Sequence, residues 1–498
     1  MNRPARTYVL GGLLQRNYFP AHKADLLEVP PAITSETFTP AVAELLVQAG
    51  TDRGQYGYDC VSYRASRFDG VPRLLQIPHP VAYALLATEI AKNWKHLEEV
   101  VDNPSSRIRP AVHADGRLVV MNYEDSVMSA RRELRSRRGM RFLARADISN
   151  CYGSIYSHAI PWAAAGHEQA KKGMGRERTW YNKLDVATRR VRRNETQGIP
   201  IGPGTSAVVA EFILGRVDEA LRAQQFEFCR YMDDYTAYCE TEGGARQFIA
   251  SAEDELARYR LTLSRKKSGV FPLPQPIRPQ WLHELSLMAI KGRVLSTFDV
   301  YNYLDMALGM SSRHPGGSVL KYAVKTLFAA ERDNMAKRAL VSYTIELALY
   351  HPVLVPLLHK MFEELRGLGQ PVNYWNEVNE LAAAAAAARC SDAIAWCLYY
   401  LKSMNARVDQ RVVDAILDSA DCVGLTMLYW VGQQPAVDSV VDFAKALVTR
   451  STSDYGRYDL DAQWLLLYQL YFDKKINSPY TGAAFRTMRS NGVTFLRQ

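Results

Sequence analysis

The chain has 498 residues with a formal net charge of +9 and a pI near 9.0. That length exceeds one hydrophobic core, so two or three domains are expected, and the basic balance suits a nucleotide or nucleic-acid partner. The start lacks a long apolar h-region and no apolar run is long enough to cross a membrane, which argues against a secretory signal or a membrane protein.

In chain order, residues 1–50 read as an irregular N-terminal segment with a Pro-rich stretch and a helix near 39–49. Residues 51–146 read as mixed α/β, with a helix from about Pro80 to Trp94. A short apolar run, Phe142-Leu143-Ala144, then leads into Asp147, placed where a strand should end. Next comes Gln197-Gly198-Ile199-Pro200-Ile201-Gly202-Pro203-Gly204, a shaped Gly/Pro loop whose backbone can approach a substrate closely, followed by a helical pattern. Two apolar strands then enclose Tyr231-Met232-Asp233-Asp234. Side chains alternate along a strand, so adjacent aspartates converge only at a hairpin tip. Such acids repel one another unless a divalent cation lies between them. Asp147 supplies a third carboxylate, as two-metal phosphoryl transfer requires. The segment Leu261–Phe271 carries Lys266 and Lys267.

Four prolines from Pro272 to Pro279 end this α/β region, since proline continues neither a helix nor a central strand. Beyond them, apolar residues recur near i, i+3, i+4 and i+7 in 299–310, 318–331, 336–350 and 374–390. The run Ala382–Ala388 favours helix and lets a neighbouring helix come close. Helix pairs at loose intervals suggest a degenerate HEAT-like array, with a non-repeat helical domain as the alternative. Seven cysteines are scattered without a CxxC or Cys/His cluster. No zinc site is expected, and reduced thiols in a cytoplasm fit this usage.

The ordered motifs resemble the palm of reverse transcriptases: Asp147 matches motif A, Gln197–Ser206 motif B, Tyr231–Asp234 motif C and Ser264–Ser268 motif D. The resemblance implies an α/β half of fingers (51–146) and palm (147–275) after the 1–50 segment. It implies metal ligation by Asp147, Asp233 and Asp234 with the Ile148 carbonyl, and Mg2+ as cofactor, with Mn2+ as an option. Tyr152 stands at the family's sugar gate, which implies deoxynucleotides, and its alternative is core packing. Lys267 stands at the proposed general acid, with neighbouring Lys266 or a plain solvated loop as alternatives. Gln197 and Gly198 fall in the substrate loop. Arg73, in a segment that resembles the finger motif R-x-x-x-I-P, is a candidate triphosphate contact, with Arg107, Arg109 and Arg145 as further candidates and a solvated surface arginine as the alternative for each.

An all-α domain over 276–498, where a thumb is usual, resembles the abortive-infection (Abi) polymerases of bacteria. Asp147–Ala163, Ile77–Pro80 and Arg16–Pro20 carry that likeness, and the length and layout suggest its prophage-encoded branch. This implies a cytoplasmic bacterial anti-phage protein that adds deoxynucleotides without a template. It also implies priming from its own hydroxyl, single-stranded DNA left covalently attached, and a homo-oligomer. Tyr8 and Tyr18 lie in a short segment that can thread to the palm, and either is otherwise an ordinary packing tyrosine among 28 tyrosines. The runner-up is an RNA-templated reverse transcriptase with a helical partner domain. A catalytically dead palm carrying a protein-binding scaffold is the third reading, and three intact acids argue against it.

Overall fold

In the computed structural model, residues 4–20, 28–50, 53–54, 56–121, 126–172, 179–289, 292–451 and 456–497 are described. The first residues of the N-terminal and finger segments (1–3 and 51–52) lie outside them. The N-terminal part is mixed α/β and the C-terminal part is a long all-α bundle. The expected helices occur at Pro40–Ala49 and Pro80–Lys92. Both begin with proline at the first helical turn, where a missing N–H costs nothing. Thr39 caps the first by accepting from the Val42 N–H.

Two sheets organise this half. Strands β1 (Cys60–Ala65) and β2 (Arg73–Pro78) form an antiparallel pair. Strands β3 (Phe142–Asp147), β4 (Phe228–Tyr231), β5 (Asp234–Cys239) and β6 (Gly269–Pro272) form an antiparallel sheet in the order β4-β5-β3-β6. Pro272 closes β6 on the sheet edge, where its missing donor does no harm. Buried residues of the Gly204–Ala223 and Glu242–Ala257 helices cover one face. The strand carrying Asp147 starts at Phe142, so the sheet begins before the aspartate.

The four helical patterns of the second half become helices Thr297–Arg313, Val319–Ala329, Asn334–Tyr350 and Trp375–Ala387. Ser296 opens the first with a reciprocal capping box to Asp299. In the alanine run, Ala382, Ala385 and Ala386 are buried, and this helix packs closely on Ser391–Ser403.

The bundle returns to the N-terminal segment and closes on it. Tyr18, Phe38, Trp464 and Phe495 share one aromatic cluster. The Trp464 indole donates to the Ile77 carbonyl at 3.2 Å, and Thr34 pairs with the Phe495 backbone. Farther along, Arg64 and Ser66 of the β1 region donate to Ser391 and Asp392 of the bundle. Fingers and bundle therefore share a core. Among the described residues, no helix is long and apolar enough to cross a membrane.

Candidate active site

The site is assembled by strand register. Asp147 and Asp234 face each other across β3 and β5. Tyr231 pairs with Asp234 across β4 and β5, leaving Met232 and Asp233 as a two-residue hairpin turn. Met232 takes φ +56°, the positive first turn position that matches strand twist. The Ile148 N–H donates to the Asp233 carbonyl at 3.0 Å, stitching the two acid-bearing segments together.

The basic loop closes over Asp147. The Ser264 N–H donates to the Asp147 carbonyl at 2.7 Å, and the Asp147 N–H donates to the Ser268 hydroxyl at 3.0 Å. These bonds aim Lys267, whose Nζ donates to both carboxylate oxygens of Asp147 at 3.0 and 3.3 Å. That hydrogen bond is also the main reason the Lys267 ammonium is held above its ordinary range. Lys267, rather than Lys266, is the lysine at the acids.

The electrostatics are those of crowded carboxylates. Burial raises Asp233, repulsion from Asp147 adds to it, and Arg73 and Lys267 oppose it. Asp234 is pushed up to about 7, first by burial, then by its hydrogen bond with Asp147 and repulsion from Asp233. A cation would relieve this repulsion, and hard carboxylate oxygens suit Mg2+ or Mn2+. Among the described residues, no group of three or more His, Cys, Asp or Glu side chains forms a metal-holding cluster. At Asp147 the Lys267 ammonium occupies both oxygens. The donor set fits a divalent cation in chemistry, with Lys267 as its competitor.

The Gly/Pro loop lies against the segment after Asp147. The Gly198 and Ile199 N–H groups donate to the Ile155 and Tyr152 carbonyls. Gln197 Nε2 donates to the Ser154 carbonyl at 2.9 Å. Gly198 has φ +83°, and a side chain there would meet the Gly153 carbonyl at 3.0 Å, so glycine is required on both counts. Tyr152 is half-buried beside Met232, Ala207 and Glu211. Burial raises its phenol, and Asp233 and Arg73 both reach it electrostatically.

Arg107 and Arg145 line a cleft of about 560 Å³ together with Asp147, Asp234 and Lys267. Arg109 does not line it; its guanidinium donates to the Asn103 carbonyl and braces a loop. The two candidate priming tyrosines are both engaged elsewhere. Tyr18 is fully buried, and its hydroxyl donates to the Pro78 carbonyl at 2.6 Å. Priming from it requires pulling this ring out of the aromatic cluster. The Tyr8 hydroxyl sits between the His113 and Arg117 carbonyls, and Tyr8 is only half-buried. Its segment runs beside the catalytic loops: the Gly204 N–H donates to the Asn17 carbonyl at 2.7 Å.

Residues 80–282 match the family model described as Reverse transcriptase (RNA-dependent DNA polymerase). This part of the chain has a reverse-transcriptase-like fold. The matched stretch contains Asp147, Asp233, Asp234 and Lys267, and forms a reverse-transcriptase-like nucleotidyltransferase domain. Among solved structures, the chain is similar to apo telomerase from Candida tropicalis, at 9% identity and a TM-score of 0.32 over 82% of this chain and 74% of that one. It is also similar to telomerase from Candida albicans in complex with a TWJ fragment of telomeric RNA, at 11% identity and a TM-score of 0.30 over 85% and 67%. No curated protein matches the chain.

Sequence reading missed the charges behind the reverse-transcriptase-like site: Arg230, Glu211 and Asp218, all buried. The available signal was charge at core positions, with Glu211 inside the apolar run Val208–Leu214, Asp218 seven residues later on the same helix face, and Arg230 inside a strand.

Proposed function

We propose that this protein is a DNA polymerase of the abortive-infection type, which transfers deoxynucleotides onto a hydroxyl of its own chain without a template. The observation that carries nucleotidyl transfer is the pairing of Asp147 with Asp234 beside a turn bearing Asp233, with Lys267 on Asp147. Asp147, Asp233 and Asp234, with the Ile148 carbonyl, would hold Mg2+ or Mn2+. Bound there, paired divalent cations would activate the attacking hydroxyl and stabilise the charge on the leaving phosphate. Arg73, at the start of β2 and close enough to lower Asp233 electrostatically, would contact the triphosphate. Lys267 exchanges its Asp147 contact for the pyrophosphate and donates a proton there. The loop at Gln197 and Gly198 positions the incoming nucleotide against Tyr152.

Support for protein priming is the course of the N-terminal segment, whose Asn17 meets the start of the Gly204–Ala223 helix. Tyr8 is the better primer of the two tyrosines, because it is only half-buried and its hydroxyl leaves just backbone partners, the His113 and Arg117 carbonyls and the His113 N–H. Sequential packing of Trp375–Ala387 on Ser391–Ser403, and of Ser391–Ser403 on Cys422–Val431, supports a HEAT-like reading of the bundle. Anti-phage defence and a homo-oligomeric cytoplasmic state complete the proposal.

The test incubates purified protein with each deoxynucleotide, with and without RNA template, and resolves products on a protein gel and by mass spectrometry. DNA on the protein, on a tyrosine, with no template is the expected result. Free DNA that copies an added RNA would establish the runner-up instead. In the same assay, Tyr152→Ala is expected to raise ribonucleotide use about 10–100-fold, the scale on which a pocket rejects an added group, with deoxynucleotide use changed far less. Unchanged sugar discrimination would return Tyr152 to a packing role.

A further inference from the structure

A buried charge network stands directly behind the catalytic turn. Arg230 lies three residues before Asp233 and is fully buried. Strand alternation turns it away from Cys229, which lines the cleft, and towards the Gly204–Ala223 helix. Its Nη1 and Nη2 donate to the two oxygens of Glu211 at 2.8 and 3.0 Å. Its Nε and Nη2 donate to Asp218 at 3.0 and 2.8 Å. Asp218 also accepts from Asn103 at 2.6 Å. With both acids engaged, Nη1 makes one more contact, to the Met232 carbonyl at 2.8 Å.

That contact falls at a demanding place. Met232 holds φ +56° without being glycine, a conformation that persists only when its surroundings enforce it. Its carbonyl belongs to the peptide group entering Asp233. The peptide group leaving Asp233 is held from the other side, by the Ile148 N–H at 3.0 Å. Both peptides that flank the catalytic aspartate are therefore clamped. Buried ion triads generally add little net stability, and apolar replacements of similar volume often do as well. Stability therefore does not account for this network, whereas aiming Asp233 does.

We propose that Arg230, anchored by Glu211 and Asp218, is a positioning residue that sets the catalytic turn through the Met232 carbonyl. The proposal rests on the nucleotidyl-transfer reading. Arg230 touches neither nucleotide nor the reacting atoms. A lysine there cannot span two carboxylates and a carbonyl, because it lacks the planar fork.

The experiment compares wild type, Arg230→Lys, Glu211→Gln, and a charge-free triple variant (Arg230→Met, Glu211→Gln, Asp218→Asn). Wild-type incorporation is measured first; if it is absent, the nucleotidyl-transfer reading fails. With active wild type, the folded triple and Arg230→Lys variants are expected to lose about 10–100-fold in kcat, the scale of a small misplacement, with KM for the deoxynucleotide within about threefold. Amide exchange in metal-free protein should quicken over residues 231–235 and stay unchanged elsewhere. Glu211→Gln, which keeps side-chain shape and the Asp218 anchor, should show the same pattern more weakly and decides the matter if the other variants do not fold. Wild-type kcat with unchanged exchange at the turn, in any folded variant, overturns the proposal.

Discussion

Asp233→Asn is expected to lower nucleotide incorporation by at least about 1000-fold, roughly 4 kcal/mol of transition-state stabilisation, without loss of fold. The carboxylate sits at the turn between β4 and β5, within electrostatic reach of Asp147 and Asp234. An amide fills the same space but removes the charge a divalent cation needs. Metal-free stability should move the other way. Asp234 is pushed up to about 7 by burial and by its acidic neighbours, so the folded state resists its ionisation. Its folded value lies above its ordinary one, so the stability it contributes is complete below about pH 4 and is lost as pH rises through about 7. Asp234→Asn removes that loss, so this variant should melt higher than wild type above pH 7 and converge with it near pH 4. Added Mg2+ should raise the wild-type melting temperature and leave the Asp233→Asn/Asp234→Asn double variant unmoved. Activity retained by Asp233→Asn, or Mg2+ stabilisation retained by the double variant, would remove the carboxylates from the chemistry.

The acids were legible because each closes an apolar run, so local pattern alone puts Asp147 at a strand end and Asp233 in a turn. Helices were legible for the same reason, from Thr297–Arg313 through Trp375–Ala387. Lys267 could not be separated from Lys266 by sequence, since the choice depends on Ser264 and Ser268 bonding to the Asp147 backbone. Tyr18 illustrates a deeper limit. Its position near the start of the chain suggested reach, whereas Phe38, Trp464 and Phe495 enclose it. Local pattern cannot show that the Trp464 ring meets Tyr18, more than 400 positions earlier. Arg230 failed for a related reason: a charged residue in a strand is read as a solvated face until its two acids are seen.

Asp461→Ala is expected to cost about 3–5 kcal/mol in stability, the usual result of removing one member of a buried pair. Asp461 Oδ1 accepts from Arg53 Nη2 at 2.7 Å, with the two side chains 0% and 3% exposed. Oδ1 also accepts from the Tyr480 hydroxyl at 3.0 Å, and Oδ2 accepts from the Asp59 N–H at 3.1 Å. Burial pushes this carboxyl up to about 7, while Arg53 pulls it back down. The pair is thus dear to form and dearer to break. Removing the carboxylate leaves the Arg53 guanidinium buried against the Tyr58 and Tyr480 rings. The weak point created lies where the fingers meet the bundle, and the β1–β2 pair rests on the same interface through Ile77 and Trp464. Limited proteolysis should therefore cut the Asp461→Ala protein near residues 456–480 before the catalytic sheet unfolds. Asp461→Asn keeps an acceptor oxygen and should cost clearly less. The double change Arg53→Met/Asp461→Leu should regain most of the loss, because no charge is then left buried. Equal melting temperatures for wild type and Asp461→Ala would show that the aromatic cluster and the β1–bundle hydrogen bonds hold the two halves together without this pair.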